Sequence, residues 1–422
     1  MRRADDAPCP QNNATTSCVV VGGGPGGMML AYLLARAGVE VTLLESRSDF
    51  DRDFRGDSLH PYTLELLDTL GLADDLLRLP HFPARHFRFH TPTATIVTTD
   101  YGKIDSRFNY VALMPQVRFL NFLAEEAQRL PAFTLRLGCK VTGLLYEEDR
   151  VIGVRYRDGI GEHDQLTRLV IGADGRFSKI RRLGELPARP LGATTDLLWF
   201  RLPRLDDDPP EADLDLFFGT NHYVALLGGP TDWQVGYTLP KGGYAEAREA
   251  GAEPIRSFVA QHVRWLADRV HLLESFSQTT LLSVDISRVE RWHRDGLLLL
   301  GDAAHVISPV GGNGILMAVQ DAVAAANRII PALLAGEPTT EVLAAVQADR
   351  EPAITRVQEK QVKIEKQVAR ALTAGKPISP PRLLRMVTAV PGVRARNARA
   401  NAYGPQAPKL DVGLLTNNAD RS

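Results

Sequence analysis

Ser17-Cys18-Val19-Val20-Val21-Gly22-Gly23-Gly24-Pro25-Gly26-Gly27-Met28-Met29-Leu30 carries the reading of the fold. A short β-branched run that halts at glycines has the character of a strand buried on both faces of a parallel sheet. Gly26 to Arg36 then reads as a helix with Met28, Met29, Leu30, Leu33 and Leu34 on its apolar side, closed by Gly38. Val39 to Leu44 is a second buried strand. Strand, glycine turn, helix and strand make a βαβ unit with a right-handed crossover. Gly22, Gly24 and Gly27 fill the positions of a G-x-G-x-x-G. The first makes the tight turn, the second lets backbone approach a pyrophosphate, and the third allows close helix–strand packing. The helix start, with Pro25 beside it, offers N–H groups and a positive dipole end to phosphates.

Glu45 closes the second strand, about 20 residues on, where an acid grips a ribose hydroxyl. An acid here suits an unphosphorylated adenosine ribose, with Ser46 and Arg47 flanking the adenine. This motif alone allows NAD and FAD equally.

Outward from this unit, Thr63–Leu72 and Val117–Leu130 read as helices, and Phe133–Tyr156 as strands. Leu191–Leu239 changes texture: apolar and polar residues alternate, aromatics are frequent, and turn groups recur, which predicts an antiparallel sheet. Gly296–Leu300 returns to the buried-strand style and Gly314–Leu334 reads as a long helix. Parallel-sheet segments at both ends therefore enclose a β-rich insert. The expected division is a discontinuous unit of 17–81, 102–191 and 278–375, a β-rich unit of 82–101 and 192–277, and an irregular wrapping tail, 376–422.

The 422 residues suffice for two or three domains with a substantial core. A formal net charge of −1 argues against a nucleic-acid partner, whose footprint is a basic excess. Three cysteines, none at metal-ligand spacing, fit a reducing compartment and no metal. Residues 1–16 lack an apolar core and read as a loose leader, not a signal peptide. The expectation is a cytoplasmic monomer or homodimer without membrane association.

Two further segments end apolar strands in Gly/Asp turns: Leu169-Val170-Ile171-Gly172-Ala173-Asp174-Gly175 and Leu299-Leu300-Gly301-Asp302-Ala303-Ala304-His305. With the glycine loop, these three motifs in order make the sequence resemble the flavoprotein aromatic hydroxylases, the single-component family that includes para-hydroxybenzoate hydroxylase. The resemblance runs from about Val19 to about Leu334. It implies an α/β fold: a Rossmann-like FAD-binding domain of glutathione-reductase type with an inserted antiparallel β-sheet substrate domain.

It also implies site residues. The Asp-Gly motif matches Asp174 and Gly175, with Ser178 and Arg181 in its tail, and contacts FAD. The Gly-Asp motif matches Gly301 and Asp302, whose carboxylate holds a ribityl hydroxyl. Arg55-Gly56 matches the arginine placed on the pyrophosphate, and Gln116 an Arg/Gln position touching the cofactor. Pro309 matches the proline beside the isoalloxazine. Gly312-Asn313-Gly314-Ile315 starts a helix whose N–H groups stabilise negative charge on the flavin N1–C2=O. Here the sequence departs from the family: Leu316 replaces a usual Asn and Ala318 a frequent Gly. Asn313 is the side chain that could compensate.

By the same resemblance, NAD(P)H reduces the flavin transiently, and O2 then yields a C4a-hydroperoxide that hydroxylates an aromatic, polycyclic or quinone-like small molecule. The alternative is a flavin dehydrogenase or reductase without oxygen transfer, which the Leu316 departure keeps open. No nucleophile–base dyad is required, because the cofactor carries the reactive group. His305, His222 and Tyr223 are the candidates for a catalytic side chain, though a satisfied structural histidine is the better reading of each histidine, His60 included. The candidates for substrate lining are Trp199, Arg201, Phe217, Phe218, Tyr223, Trp233 and Tyr237, with packing inside the sheet the better reading of any one of them.

Overall fold

The computed structural model describes residues 16–51, 57–92, 94–210, 212–309, 311–373 and 382–415. The β-branched run forms the strand Thr16–Val21, flanked in parallel by Glu162–Gly172 and Val41–Leu44. Phe133–Arg136 extends the parallel set beyond Val41–Leu44, and Leu297–Leu299 beyond Glu162–Gly172. Cys18, Val19 and Val20 are fully buried, as a strand covered on both faces requires. The helix Pro25–Arg36 packs against the helices Gly314–Ala335 and Gln116–Gln128. The antiparallel strands Lys140–Glu147, Arg150–Arg157 and His293–Arg294 complete an eight-stranded sheet.

Register aligns the strand ends. Val20 lies opposite both Leu43 and Ile171, and Ile171 opposite Leu298. Four strand ends therefore stop side by side, delivering Gly22, Glu45, Asp174 and Asp302 to one edge. The crevice beyond the carboxyl ends of parallel strands is where such sheets take ligands.

The predicted antiparallel texture becomes a seven-stranded sheet. Its order is Thr280–Ser283, Thr195–Pro203, Asp232–Pro240, Tyr223–Gly228, Leu214–Phe218, His86–Thr91 and Ala94–Asp100. It differs from the expected boundaries at both margins. Phe82–Ala84 leaves it to pair with Val111–Leu113 in a separate three-stranded sheet. The cause is Asp213, whose carboxylate takes the N–H groups of Arg85 at 2.9 Å and His86 at 2.8 Å, so the chain changes sheets there. At the other margin Thr280–Ser283, beyond residue 277, pairs with Thr195–Pro203.

The tail also differs from the expected irregular segment. Its described part holds the helices Arg382–Ala389 and Val393–Tyr403. The second lacks an apolar stripe and buries only Ala398 and Ala402, against Tyr101, Ile104, Val111 and Leu113. Small side chains permit that close approach. The 34-residue helix Thr340–Thr373, which the sequence reading did not single out, precedes the tail. One described helix, Gly314–Ala335, is long and apolar enough to cross a membrane, and most of it is buried inside the protein.

Candidate active site

The glycine loop is built by exclusion. Gly22 has φ +106°, and a Cβ there would collide with the carbonyl oxygen of Ala173. A Cβ on Gly27 would collide with the carbonyl oxygen of Gly22. Gly24 by contrast has nothing within 4 Å of its Cβ position, so its backbone faces open space. That space is the cavity at the strand ends, about 530 Å³. The first N–H groups of the helix Pro25–Arg36 have no intrahelical acceptor and face the same end.

Glu45 is buried at the tip of its strand. Its Oε2 accepts the Gly23 N–H at 2.8 Å, and its Oε1 accepts from Ser46 Oγ and Arg47 N, both at 3.1 Å. The acid thereby fixes the loop as well as bordering the cavity.

Asp174 lines the cavity and also holds its own turn. Its carboxylate accepts from Ser178 Oγ at 2.5 Å, Lys179 N at 2.6 Å and Ile180 N at 3.0 Å, capping the short helix Lys179–Leu183. Arg181 then ties this turn to the next motif, donating to the carbonyls of Ala303 and Arg176 at 3.0 Å each. Asp302 is partly buried at the Gly301 turn and lines the cavity.

Of the residues expected to hold the cofactor, Gly22, Gly24, Pro25, Gly27, Glu45, Ser46, Arg47, Gln116, Asp174, Gly175, Gly301, Asp302, Pro309, Gly312, Gly314 and Ile315 all line this one cavity. Arg55 and Gly56 lie outside the described residues. Asn313 does not line the cavity: it is the N-cap of the long helix, and its Oδ1 is buried. Leu316 is fully buried in the main core, so the departure there leaves the cavity wall untouched, while Ile315 and Ala318 form it.

Beyond the loops, the cavity is bounded by one face of the seven-stranded sheet. Strand alternation puts Leu197, Trp199, Tyr223, Ala225, Leu214 and Leu216 on it. The same alternation sorts the expected aromatics. Phe217, Trp233 and Tyr237 face the opposite core, formed with the helix Glu253–His262, and take no part in the cavity. Trp199 and Tyr223 line it; Arg201 and Phe218 do not.

None of the three catalytic candidates is placed as a base. His305 donates through Nε2 to Asp321 Oδ2 at 2.7 Å, away from the cavity, and Arg350 Nε meets Asp321 Oδ1 at 2.8 Å. Burial alone would raise the Asp321 carboxyl, but His305 and Arg350 hold it below the usual carboxylate range. His222 faces the outer core, with Nδ1 donating to Thr238 O at 2.7 Å and its ring stacked 4.6 Å from Tyr237. Tyr223 reaches the cavity, but burial pushes its phenol up, so it stays protonated.

His60, read from sequence as a structural histidine, and three side chains that sequence reading did not select complete the wall. Asp57 follows directly on Arg55-Gly56 and accepts from Gln234 Nε2 and, at 3.2 Å, from Gln116 N. Burial pushes its carboxyl up to about 6, against the hydrogen bonds of Gln234 and Gln116 and the charge of Arg201. His60, held neutral by burial, which lowers it to about 4, donates through Nε2 to Gly312 O at 3.3 Å. Ser308 is clamped by Gln361 from the long helix, N–H to Oε1 at 2.9 Å and Nε2 to carbonyl at 3.0 Å. Asn401 arrives from the tail.

An open Gly24 backbone at a helix start, a buried acid beside it, and a Gly-Asp turn at the next strand end fit a dinucleotide. A family model of the FAD binding domain matches residues 15–361. The 6-methylpretetramide 4-monooxygenase of Streptomyces rimosus is 35% identical over 412 residues, 96% of each chain. The chain belongs to the flavoprotein aromatic hydroxylases. A second relative of this hydroxylase, para-nitrophenol 4-monooxygenase of Pseudomonas sp. (strain WBC-3), is 24% identical and covers 76% of this chain and 79% of its own. The solved p-nitrophenol 4-monooxygenase of Pseudomonas putida DLL-E4 shares the fold, with TM-score 0.76 at 21% identity over 93% of this chain and 99% of that one. The hydroxylase is thus an FAD-dependent monooxygenase, and the dehydrogenase alternative falls.

Proposed function

We propose that this hydroxylase transfers one oxygen atom from O2 to a polycyclic phenol of the 6-methylpretetramide class, with NAD(P)H as the transient reductant. The observation that carries this reading is one cavity walled on one side by the nucleotide loops and on the other by an apolar sheet face. The 35% identical relative named for 6-methylpretetramide supports the substrate class. The discontinuous unit around the parallel sheet, of glutathione-reductase type, then serves FAD, and the seven-stranded sheet serves the substrate.

FAD, when bound, supplies electron transfer from NAD(P)H and activation of oxygen. The chain's own residues position and exclude water. Gly22, Gly24 and Gly27 cradle the pyrophosphate, Glu45 the adenosine ribose, and Asp302 the ribityl chain. Gln116, Gly175 and Pro309 flank the cofactor, and the helix start at Gly312, Gly314 and Ile315 stabilises negative charge near it. Leu197, Trp199, Leu214 and Leu216 keep the reacting face dry.

The test is direct. Purified protein carries the yellow flavin spectrum, and 6-methylpretetramide accelerates its NAD(P)H oxidation with a product heavier by one oxygen atom. NAD(P)H oxidation that ignores this compound, or consumes it without oxygen transfer, sinks the assignment.

A further inference from the structure

The tail lies beyond residue 361, where the FAD binding domain match ends, yet it enters the cavity wall at Asn401. Asn401 sits in the helix Val393–Tyr403. Its Nδ2 lies 2.5 Å from the hydroxyl of the fully buried Tyr101. Its Oδ1 lies 3.7 Å from where a Cβ on Gly311 would stand, beside the glycine turn that ends at the helix start Gly314. The carboxamide is therefore gripped at one end and presented to the cavity at the other.

Its mounting is rigid. Ala398 and Ala402 are fully buried on either side of it. Asn397 Nδ2 donates to Thr98 O at 2.9 Å, and Gln320 Nε2 to Tyr403 O at 2.7 Å. A polar group locked by its packing is preorganised, so little ordering opposes a hydrogen bond formed to a ligand. The facing wall of the seven-stranded sheet carries Leu214 and Leu216, and its own carboxamide, Gln234, is already taken by Asp57.

We propose that Asn401 is a specificity-determining residue, whose carboxamide hydrogen-bonds a ring hydroxyl of the substrate or the carbonyl next to it. This rests on the polycyclic-phenol reading. A site built to hydrogen-bond a hydroxyl discriminates strongly against the analogue that lacks it, whereas an apolar wall does not. The tail then belongs to the substrate site, and the cofactor chemistry is left to the residues before it.

Anthraquinone and 1,8-dihydroxyanthraquinone are titrated into the FAD-loaded full-length protein, and binding is followed by the flavin absorbance change. Wild type binds the dihydroxy compound more tightly, and Asn401→Leu narrows that gap by about tenfold, the size of one good hydrogen bond. With 6-methylpretetramide the leucine variant raises KM more than it lowers kcat. Bound FAD per chain and melting temperature verify that the variant is folded; if it fails to load, Asn401→Ser is titrated in its place. No gap in wild type, or a gap unchanged in the variant, overturns the proposal. A gap that depends on Asn401 while 6-methylpretetramide goes unused overturns the substrate reading alone.

Discussion

The Asp57 carboxylate accepts a hydrogen bond from the Gln234 side-chain amide, joining chain segments 177 residues apart. Asp57 precedes the strand Ser58–Leu59 near the nucleotide loops, whereas Gln234 is on the cavity face of the seven-stranded sheet. Its other oxygen takes the N–H of Gln116, at the start of the helix Gln116–Gln128. One buried acid thus ties the sheet face to the nucleotide side at the edge they share.

This link makes stability depend on pH. Burial pushes the Asp57 carboxyl up to about 6, whereas an unfolded aspartate titrates near 3.9. An acid whose folded pKa is raised binds its proton more tightly in the native state, so its stabilising contribution is lost as pH rises from about 4 to about 6. The span of roughly two pH units bounds the effect at about 3 kcal/mol. Wild type is expected to lose melting temperature relative to Asp57→Asn across that window. Parallel melting curves for the two proteins from pH 4 to 7 would remove Asp57 from this role.

Asp302 and Glu45 should separate in a cofactor-binding assay. Asp302→Ala removes a cavity-facing carboxylate at the Gly301 turn, and the FAD dissociation constant is expected to rise about 10- to 100-fold, the scale of a charged hydrogen bond. Glu45→Ala also orphans the Gly23 N–H, which Glu45 accepts at 2.8 Å. It is therefore expected to lower stability before any cofactor is added, by about 1–3 kcal/mol. Equilibrium dialysis and melting of the FAD-free protein measure the two effects. Unchanged FAD affinity in Asp302→Ala takes that residue out of the cofactor site.

Much of the cofactor side was legible because it is local. Val21 hands directly to Gly22, and Leu44 to Glu45, so strand, turn and acid are written in consecutive residues. What escaped was set by long-range packing. Asn401 and Gly311 meet only because alanines let one helix approach Tyr101 and Ile104, and nothing near residue 401 signals a cavity. The aromatics could not be sorted from sequence for a related reason. Phe217 and Phe218 are neighbours in sequence but face opposite sides, and only the register says which side is the cavity. At Asp174 the Gly/Asp turn marks the strand end but does not reveal that the acid also caps its own helix.

His305 is expected to act through stability. With Asp321 and Arg350 it forms a buried cluster whose carboxylate also accepts the Gly301 N–H at 3.3 Å. Arg350 and Asp321 are fully buried, and removing one partner of such a pair leaves an uncompensated charge. Arg350→Met is expected to destabilise by about 3–5 kcal/mol. His305→Asn should lower the melting temperature by a smaller amount while turnover per bound FAD persists. A loss of turnover in His305→Asn at full FAD loading and unchanged melting temperature would restore His305 as a catalytic candidate.

Gly236 tests the substrate wall itself. It lies between Trp199 and Ala225 across the sheet, in the row where both partners line the cavity. A Cβ on Gly236 would stand 2.9 Å from Trp199 Cη2 and 3.0 Å from Cζ2 and Cζ3. The indole thus rests on bare backbone, and a larger residue beneath it must lift the ring into the cavity. Overpacking of this kind is worth about 1–3 kcal/mol, and here the displacement falls on the space left for the substrate. Gly236→Val is expected to weaken binding of 6-methylpretetramide and of 1,8-dihydroxyanthraquinone by tenfold or more, on the order of that strain. A single-ring phenol, which needs less of the floor, should be affected far less. FAD content reports on the cofactor side, which this row does not touch. Equal weakening of the large and small phenols, with FAD content unchanged, would mean that Trp199 does not border the substrate.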